Sequence, residues 1–337
     1  MKISVIGAGS WGTALASLLS EGEGEVILWA FETEVVESIN QKHRNILYFP
    51  EVPLPAALKT SSDLKSLVET SDILVNAIPS HLTRPVWKNV VPFVKKGAII
   101  VNASKGFEFD TDKRLSEVFR ELFPDRSEGL FVTLSGPSFA KEVLLHQPTT
   151  VVIAGKDQKV MKKIQKLFRR EWFLTYLNHD VNGVEVGGAV KNVLAIASGI
   201  CEGMGLGYNT RAALITRGLY EITKLGKAMG ANPLTFAGLS GMGDLILTCT
   251  GELSRNRSLG LKLGCGEKLS DIMKKMKNIA EGVKTSKVVY DLIQKYKINN
   301  PVCVEIYRIL YEGKLPSQAV KDLLAIDLYE ELGGLLK

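Results

Sequence analysis

Along the first half of the chain, short runs of aliphatic and β-branched residues alternate with stretches whose apolar positions recur at helical spacing. This is the pattern of repeated strand–helix–strand units. It predicts strands over Lys2–Ile6, Glu25–Ala30, Ile73–Ile78, Ala98–Ala103, Leu130–Leu134 and Thr149–Ala154. Helical stretches are predicted between them over Ala14–Ser20, Glu34–Gln41, Pro85–Val94 and Lys113–Leu122. Ile73-Leu74-Val75 and Ala98-Ile99-Ile100-Val101 are continuous apolar runs, as expected of strands covered by helices on both faces. The first half therefore reads as an α/β fold with a doubly wound parallel sheet.

After about residue 180 the pattern changes to long helical stretches, predicted over Val184–Cys201, Thr210–Met229, Leu269–Lys277, Thr285–Tyr296, Ile306–Tyr311 and Ser317–Leu332. Gly203, Gly205, Gly207, Pro233, Pro301 and Pro316 punctuate them. Two domains are predicted, residues 1–180 and an all-helical one over 181–337, with the active site expected in a cleft between them.

The first turn carries chemistry. Gly7-Ala8-Gly9-Ser10-Trp11-Gly12 follows a predicted strand and opens a helix, which is the context a dinucleotide-binding G-x-G-x-x-G requires. Gly7 permits the tight turn, Gly9 lets a pyrophosphate approach the backbone, and Gly12 allows close helix–strand packing. The helix N-terminus adds unpaired amides and a favourable dipole. Glu32 lies 20 residues after Gly12, where a carboxylate accepts hydrogen bonds from ribose hydroxyls. The first half is thus a Rossmann-type domain. Glu32 favours NAD, and Lys42, His43 and Arg44 leave NADP open.

Four further segments place polar residues where burial is expected. Asn102-Ala103-Ser104-Lys105-Gly106 ends a buried strand, so Lys105 either faces the nicotinamide or is a solvated loop lysine. Ser135-Gly136-Pro137-Ser138-Phe139-Ala140 follows another strand, and Gly136 and Ser138 offer backbone and hydroxyl contacts. Lys191 stands in Gly187-Gly188-Ala189-Val190-Lys191-Asn192-Val193, the one lysine in a predicted helix otherwise filled mostly with Gly, Ala and Val. Desolvation there would lower its pKa towards that of a general base, while an exposed stripe or a snorkelling chain is the competing reading. Asp244 and Thr248 share a helix face if their stretch is helical, and Ser254-Arg255-Asn256-Arg257 has the makings of a phosphate grip. Solvation is the competing fate for both arginines.

Composition narrows the field. With 45% hydrophobic and 23% charged residues, the 337-residue chain is globular rather than disordered or fibrous. A net charge of +6 suits anionic small molecules and is too dilute for nucleic acid. The basic pairs Lys162-Lys163, Arg169-Arg170 and Lys274-Lys275 read as solvated helix faces. The four cysteines form no C-x-x-C pair and suit a reducing compartment. Lys191 and Glu202 interrupt the best candidate for a spanning helix, and the apolar strand from Ile3 leaves no room for a leader. A cytoplasmic protein without membrane insertion, nucleic acid or metal is expected. A homodimer through the helical domain is the assembly expected.

Together the segments resemble the NAD(P)-dependent sn-glycerol-3-phosphate dehydrogenases of bacterial type. The resemblance runs in order through GAGSWGTALA at 7–16, ASKG at 103–106, SGPSFAKE at 135–142, GGAVKNVLAI at 187–196, NTRAALITRG at 209–218, GDLILTCT at 243–250, SRNR at 254–257 and EG at 281–282. It implies hydride transfer between a nicotinamide and C2 of glycerol 3-phosphate or dihydroxyacetone phosphate, in the service of phospholipid synthesis. It implies Lys191 as proton acceptor or donor, with Lys105 and Asp244 orienting and polarising the reacting groups. Asn192, Thr248, Gly136 and Ser138 would contact substrate, and Ser254, Arg255 and Asn256 would hold its phosphate. Ser10, Trp11, Phe31, Glu32, Lys105, Ala140, Arg255, Ile279 and Glu281 would join Gly7, Gly9 and Gly12 at the dinucleotide. One departure stands out: Trp29-Ala30-Phe31-Glu32 lacks the basic residue that NADPH-preferring bacterial members usually carry after the second strand. Rival readings are a dehydrogenase for another hydroxy acid or phosphorylated alcohol, and a dinucleotide-binding sensor without turnover.

Overall fold

Strand-forming runs of the first half pair into one eight-stranded sheet. A computed structural model describes residues 1–275, 281–326 and 331. In chain order the first half holds β1 (Lys2–Ile6), α1 (Ser10–Ser20), β2 (Glu25–Trp29), α2 (Thr33–Lys42), β3 (Lys59–Ser61), α3 (Leu64–Thr70), β4 (Ile73–Asn76) and α4 (Ser80–Lys88). It continues with β5 (Ile99–Asn102), α5 (Leu115–Leu122), β6 (Phe131–Ser135), α6 (Ala140–Leu144), β7 (Thr149–Gly155), α7 (Gln158–Phe168) and β8 (Phe173–Asn178). The sheet order is β3-β2-β1-β4-β5-β6-β7-β8. From β1 the chain winds outward through β2 and β3, then returns beside β1 as β4. The crevice at the carboxyl ends of β1 and β4 is therefore the topological switch point where such sheets bind ligands. Helices cover both faces, and β4 and β5 are buried throughout, in keeping with their continuous apolar sequences.

Several expectations need correction. All neighbouring strands are parallel except β6 and β7, which run antiparallel. Strands β3 and β8 carry weak sequence signals: β3 is three residues long, and β8 alternates buried and exposed positions at the sheet edge, exposing Leu174 and Tyr176. The helix expected over 85–94 instead begins at Ser80, encloses Pro85, and ends at Lys88 before a 3₁₀ turn over Val91–Phe93. Arg170 is not a solvated face residue; its guanidinium donates to the Leu18 carbonyl at 2.7 Å, closing the carboxyl end of α1.

The chain divides into two compact units, residues 1–108 with 115–181, and residues 109–114 with 182–337. In the second, the described residues form α8 (Val181–Gly203), α9 (Tyr208–Ala228), α10 (Asp244–Thr250), α11 (Arg255–Gly264), α12 (Leu269–Lys275), α13 (Glu281–Tyr296), α14 (Pro301–Tyr311) and α15 (Pro316–Leu324). A 3₁₀ turn over Pro233–Ala237 and a π-helical turn over Leu239–Gly243 lead into α10. Helix α8 has the length and mean hydropathy of a membrane span, which the sequence reading denied it, but its apolar window is wholly buried inside the protein. The expected ends at Lys277 and Leu332 fall outside the described residues.

Helix α8 lies against α11 at backbone distance. A Cβ on Gly199 would stand 2.0 Å from the Arg257 carbonyl oxygen, and one on Gly203 2.1 Å from that of Leu261. The relation is reciprocal, since Cβ atoms on Gly260 and Gly264 would stand 2.0 and 2.3 Å from the carbonyl oxygens of Ile196 and Ile200. Two G-x-x-x-G spacings thus let the helices interlock with no side chain between them. This contact fixes where the first turn of α11, with Arg255 and Asn256, stands along α8.

Candidate active site

In the first unit the turn over residues 7–12 has the geometry a pyrophosphate needs. Gly7 adopts a positive φ of 113°, and a Cβ there would meet Ile78 at 2.7 Å. A Cβ on Gly12 would stand 1.8 Å from the Gly7 carbonyl oxygen, so helix and turn touch only because residue 12 is glycine. Gly9 differs: a Cβ there meets nothing within 4 Å, leaving its face open to a ligand. It is also the N-cap of α1 and supplies no side-chain cap, so the Ser10 end of α1 presents backbone amides to an anion. Trp11 donates from its indole nitrogen to the Ala103 carbonyl at 3.1 Å, tying this turn to the one after β5.

Past β2, Phe31 is 79% exposed. Glu32 is exposed beside it as the N-cap of α2, where its carboxylate does not engage the helix amides. A ligand's hydroxyls can therefore reach it. These features fit an adenine dinucleotide.

Lys105 is held on a turn stiffened from below. Asn76 and Asn102 lie in register at the ends of β4 and β5, and the Asn76 amide donates to Asn102 Oδ1 and Ser104 Oγ, both at 3.0 Å. The Trp87 indole donates to Asn76 Oδ1 at 2.9 Å, and Ser104 donates to the Ile78 carbonyl at 2.5 Å. Above this network the half-buried Lys105 ammonium donates to the Gly136 carbonyl at 2.8 Å. Ser138 donates to the same oxygen at 3.0 Å. Gly136 holds a φ of 140°, and a Cβ there would stand 2.9 Å from Val151 Cα. Lys105, Gly136 and Ser138 therefore form one cluster at the carboxyl edge of the sheet, with Ala140 opening α6 beside it.

In the second unit Lys191 is buried, with 7% of its side chain exposed, and its ammonium donates to Asp244 Oδ1, itself on a side chain 1% exposed. The partner comes from 53 residues along the chain. It arrives because the π-helical turn crosses α8 at Gly187, where a Cβ would stand only 2.5 Å from the Ser240 carbonyl oxygen. Such turns are frequent at functional sites. The reading of Lys191 as a desolvated lysine acquires a counterweight, because an adjacent carboxylate favours the ammonium that burial disfavours. Thr248, four residues after Asp244 on α10, donates to the Asp244 carbonyl at 2.6 Å and lies 3.4 Å from its Oδ1. Cys249 is no nucleophile here, for burial pushes its thiol up to about 12.

Asn192 accepts from the Asn256 amide at 2.9 Å, while Asn256 Oδ1 accepts from the Gly282 backbone at 3.0 Å. Ser254 caps α11 by accepting from the Arg257 amide at 3.3 Å. The two arginines of the Ser-Arg-Asn-Arg run part company. Arg257 is buried and doubly bonded to Glu202, through Nε at 2.9 Å and Nη2 at 2.6 Å. Arg255 is exposed on the first turn of α11. Glu202, which in the sequence merely interrupts an apolar run, also pairs with Arg211 at 3.2 Å. Its role could not be seen in the sequence because its partners lie on two other helices. Glu281 opens α13, and Ile279 lies outside the described residues. Among the described residues no three His, Cys, Asp or Glu side chains are grouped to hold a metal.

The same two halves are recognised by comparison with known proteins. A family model described as NAD-dependent glycerol-3-phosphate dehydrogenase N-terminus matches residues 2–161, and one for the C-terminus of that enzyme matches residues 180–321. A relative from Citrifermentans bemidjiense, named glycerol-3-phosphate dehydrogenase (NAD(P)+), is 48% identical over 98% of both chains. A solved structure of glycerol-3-phosphate dehydrogenase from Coxiella burnetii superposes with a TM-score of 0.92 at 37% identity, covering 96% of this chain and 99% of that one. The enzyme of that name from Saccharomyces cerevisiae gives 0.82 at 27% identity, covering 97% of this chain and 99% of that one. With a dinucleotide turn in one unit, a buried lysine–carboxylate pair in the other, and both halves matched in order, the chain belongs to the NAD-dependent glycerol-3-phosphate dehydrogenase family.

Proposed function

We propose that this chain interconverts sn-glycerol 3-phosphate and dihydroxyacetone phosphate, with Lys191 moving the proton at the C2 oxygen. The observation that carries this reading is the buried Lys191–Asp244 pair, an expensive arrangement for a sensor that only binds a dinucleotide. When bound, the nicotinamide supplies the hydride that C2 accepts in the reducing direction. Lys191, paired with Asp244, gives its proton to the oxygen as the alkoxide develops, and takes it back when the alcohol is oxidised. Lys105 polarises the same oxygen and contacts the dinucleotide, while the Gly136 carbonyl holds the lysine in place. Thr248 and Asn192 add hydrogen bonds around the reacting carbon. Gly136 and Ser138 line the substrate.

Ser254, Arg255 and Asn256 bind the substrate phosphate. The supporting geometry is that Glu202 occupies Arg257, and Arg255 stays exposed at the capped start of α11. Fixing a remote phosphate orients C2, so part of the binding energy appears as rate. Gly7, Gly9, Ser10, Trp11 and Gly12 hold the pyrophosphate. Phe31 and Glu32 take the adenosine, and Ala140, Arg255, Ile279 and Glu281 complete the dinucleotide contacts.

Glu32 gives NADH the advantage over NADPH, because its carboxylate accepts from ribose hydroxyls and repels a 2′-phosphate. We assign the reducing direction to the supply of glycerol 3-phosphate for phospholipid synthesis, and place the protein in the cytoplasm, in keeping with its four free thiols. A homodimer through the helical unit belongs to the same proposal. The test is the loss of NADH and of NADPH with dihydroxyacetone phosphate in parallel, for the wild type and Lys191→Met. Faster turnover with NADH, abolished in the variant, supports the reading; nucleotide binding without turnover promotes the sensor.

A further inference from the structure

Asn45 lies outside every helix and strand, yet its side chain is wholly buried and hydrogen-bonded on all sides. Its amide nitrogen donates to the Ala8 carbonyl at 2.9 Å and to Thr13 Oγ1 at 2.8 Å. Its amide oxygen accepts from the backbone of Leu47 at 3.2 Å and of Tyr48 at 3.3 Å. Thr13 in turn donates to the same Ala8 carbonyl at 3.2 Å. A buried asparagine with both donors and both acceptor sites engaged is a rigid connector. It joins the loop after α2 to the glycine turn.

Ala8 sits between the positive-φ Gly7 and the open-faced Gly9. In a trans peptide the carbonyl of one residue and the N–H of the next point in opposite directions. With the Ala8 oxygen drawn into the protein by Asn45 and Thr13, the Gly9 N–H faces the other way. It then points outward at the N-terminus of α1, where the amides that meet an anion are presented.

We propose that Asn45 is a positioning residue for dinucleotide binding. It orients the Ala8–Gly9 peptide, so the turn meets the pyrophosphate already in its bound shape. It touches no ligand and acts only through that peptide. The proposal rests on the reading of residues 7–12 as the pyrophosphate site.

The test measures NADH and ADP-ribose dissociation constants, by fluorescence titration and by competition, for the wild type, Asn45→Ala, Asn45→Asp and Thr13→Val. Asn45→Asp is the informative variant. It keeps oxygen acceptors for the Leu47 and Tyr48 amides but sets an oxygen against the Ala8 carbonyl. Both Asn45 variants are expected to raise the two constants about tenfold or more, and Thr13→Val by less. At saturating NADH, kcat should stay within about threefold of wild type and the KM for dihydroxyacetone phosphate should not move, since the effect is confined to the dinucleotide turn. Wild-type affinity in Asn45→Asp would reduce the residue to a loop tether and overturn the proposal. An equal loss of kcat, substrate KM and cofactor affinity would also overturn it, as general structural damage. If Asn45→Ala does not fold, Asn45→Asp and Thr13→Val decide. Failure of the wild type to bind ADP-ribose would instead strike at the pyrophosphate site itself.

Discussion

Replacing Gly199 by alanine tests how α8 sets the position of α11, the helix that carries Arg255 and Asn256. The new methyl group would be placed 2.0 Å from the Arg257 carbonyl oxygen and 2.7 Å from the Leu261 nitrogen, both backbone atoms that no rotamer change can move. Ordinary contact begins at 3.4 Å, so α11 must retreat by roughly 1.4 Å or the backbone must strain. Overpacking of this kind costs about 1–3 kcal/mol, which lowers the thermal midpoint by roughly 2–4 °C for each kcal/mol. The retreat carries Arg255 and Asn256 with it. A misplacement of about 1 Å costs on the order of 100-fold in rate, so kcat/KM for dihydroxyacetone phosphate should fall by about that factor. The assay is NADH oxidation across substrate concentrations beside a thermal melt, with Gly207→Ala as comparator, since a Cβ at Gly207 meets nothing within 4 Å. Unchanged kcat/KM and midpoint in Gly199→Ala would refute the idea that the glycine contact positions α11.

Four further outcomes follow from the same geometry. Lys191→Met should lower kcat by about 10²–10⁴ and, by removing the ammonium beside the buried Asp244 carboxylate, cost about 3–5 kcal/mol in urea unfolding, much of it recovered in the double variant with Asp244→Asn. Arg255→Ala should raise the KM for dihydroxyacetone phosphate at least tenfold, whereas Arg257→Ala should chiefly lower stability, because its guanidinium is paired with Glu202; steady-state kinetics beside a melt separate the two. Glu32→Ser should bring the kcat/KM ratio of NADH to NADPH down by about tenfold, measured with both cofactors under one set of conditions. Glu221 is wholly buried on α9 at the start of α14, where burial pushes its carboxyl up to about 7 from 4.5 despite backbone bonds from Val302 and Cys303. The folded state then holds a proton that the unfolded state has lost. Stability should therefore fall as pH rises from about 4.5 through 7, with a slope approaching 1.4 kcal/mol per pH unit, and Glu221→Gln should flatten it in urea titrations.

What was legible in the sequence was what local pattern controls. Continuous apolar runs marked β4 and β5, and the glycine spacing placed the turn over residues 7–12 between β1 and α1. Lys191 stood out because, Asn192 apart, the residues around it from Gly187 to Ala197 are small or apolar. What local pattern does not control was hidden. Asp244 finds Lys191 only because Gly187 admits the Ser240 backbone. Arg255 and Arg257, alike in sequence, differ because Glu202 approaches one of them from α8. The two G-x-x-x-G spacings were present in the chain, but their meaning depends on which helices meet. Asn45 had no local signal, since a buried side chain in a loop looks like any turn asparagine until its partners are known.

The most direct measurement is product formation by the purified chain with NADH and either dihydroxyacetone phosphate or dihydroxyacetone, which differ only in the phosphate. The account predicts one NADH oxidised for each sn-glycerol 3-phosphate formed, and at least 100-fold lower kcat/KM without the phosphate. Equal rates on both compounds, or nucleotide binding with neither consumed, would contradict it.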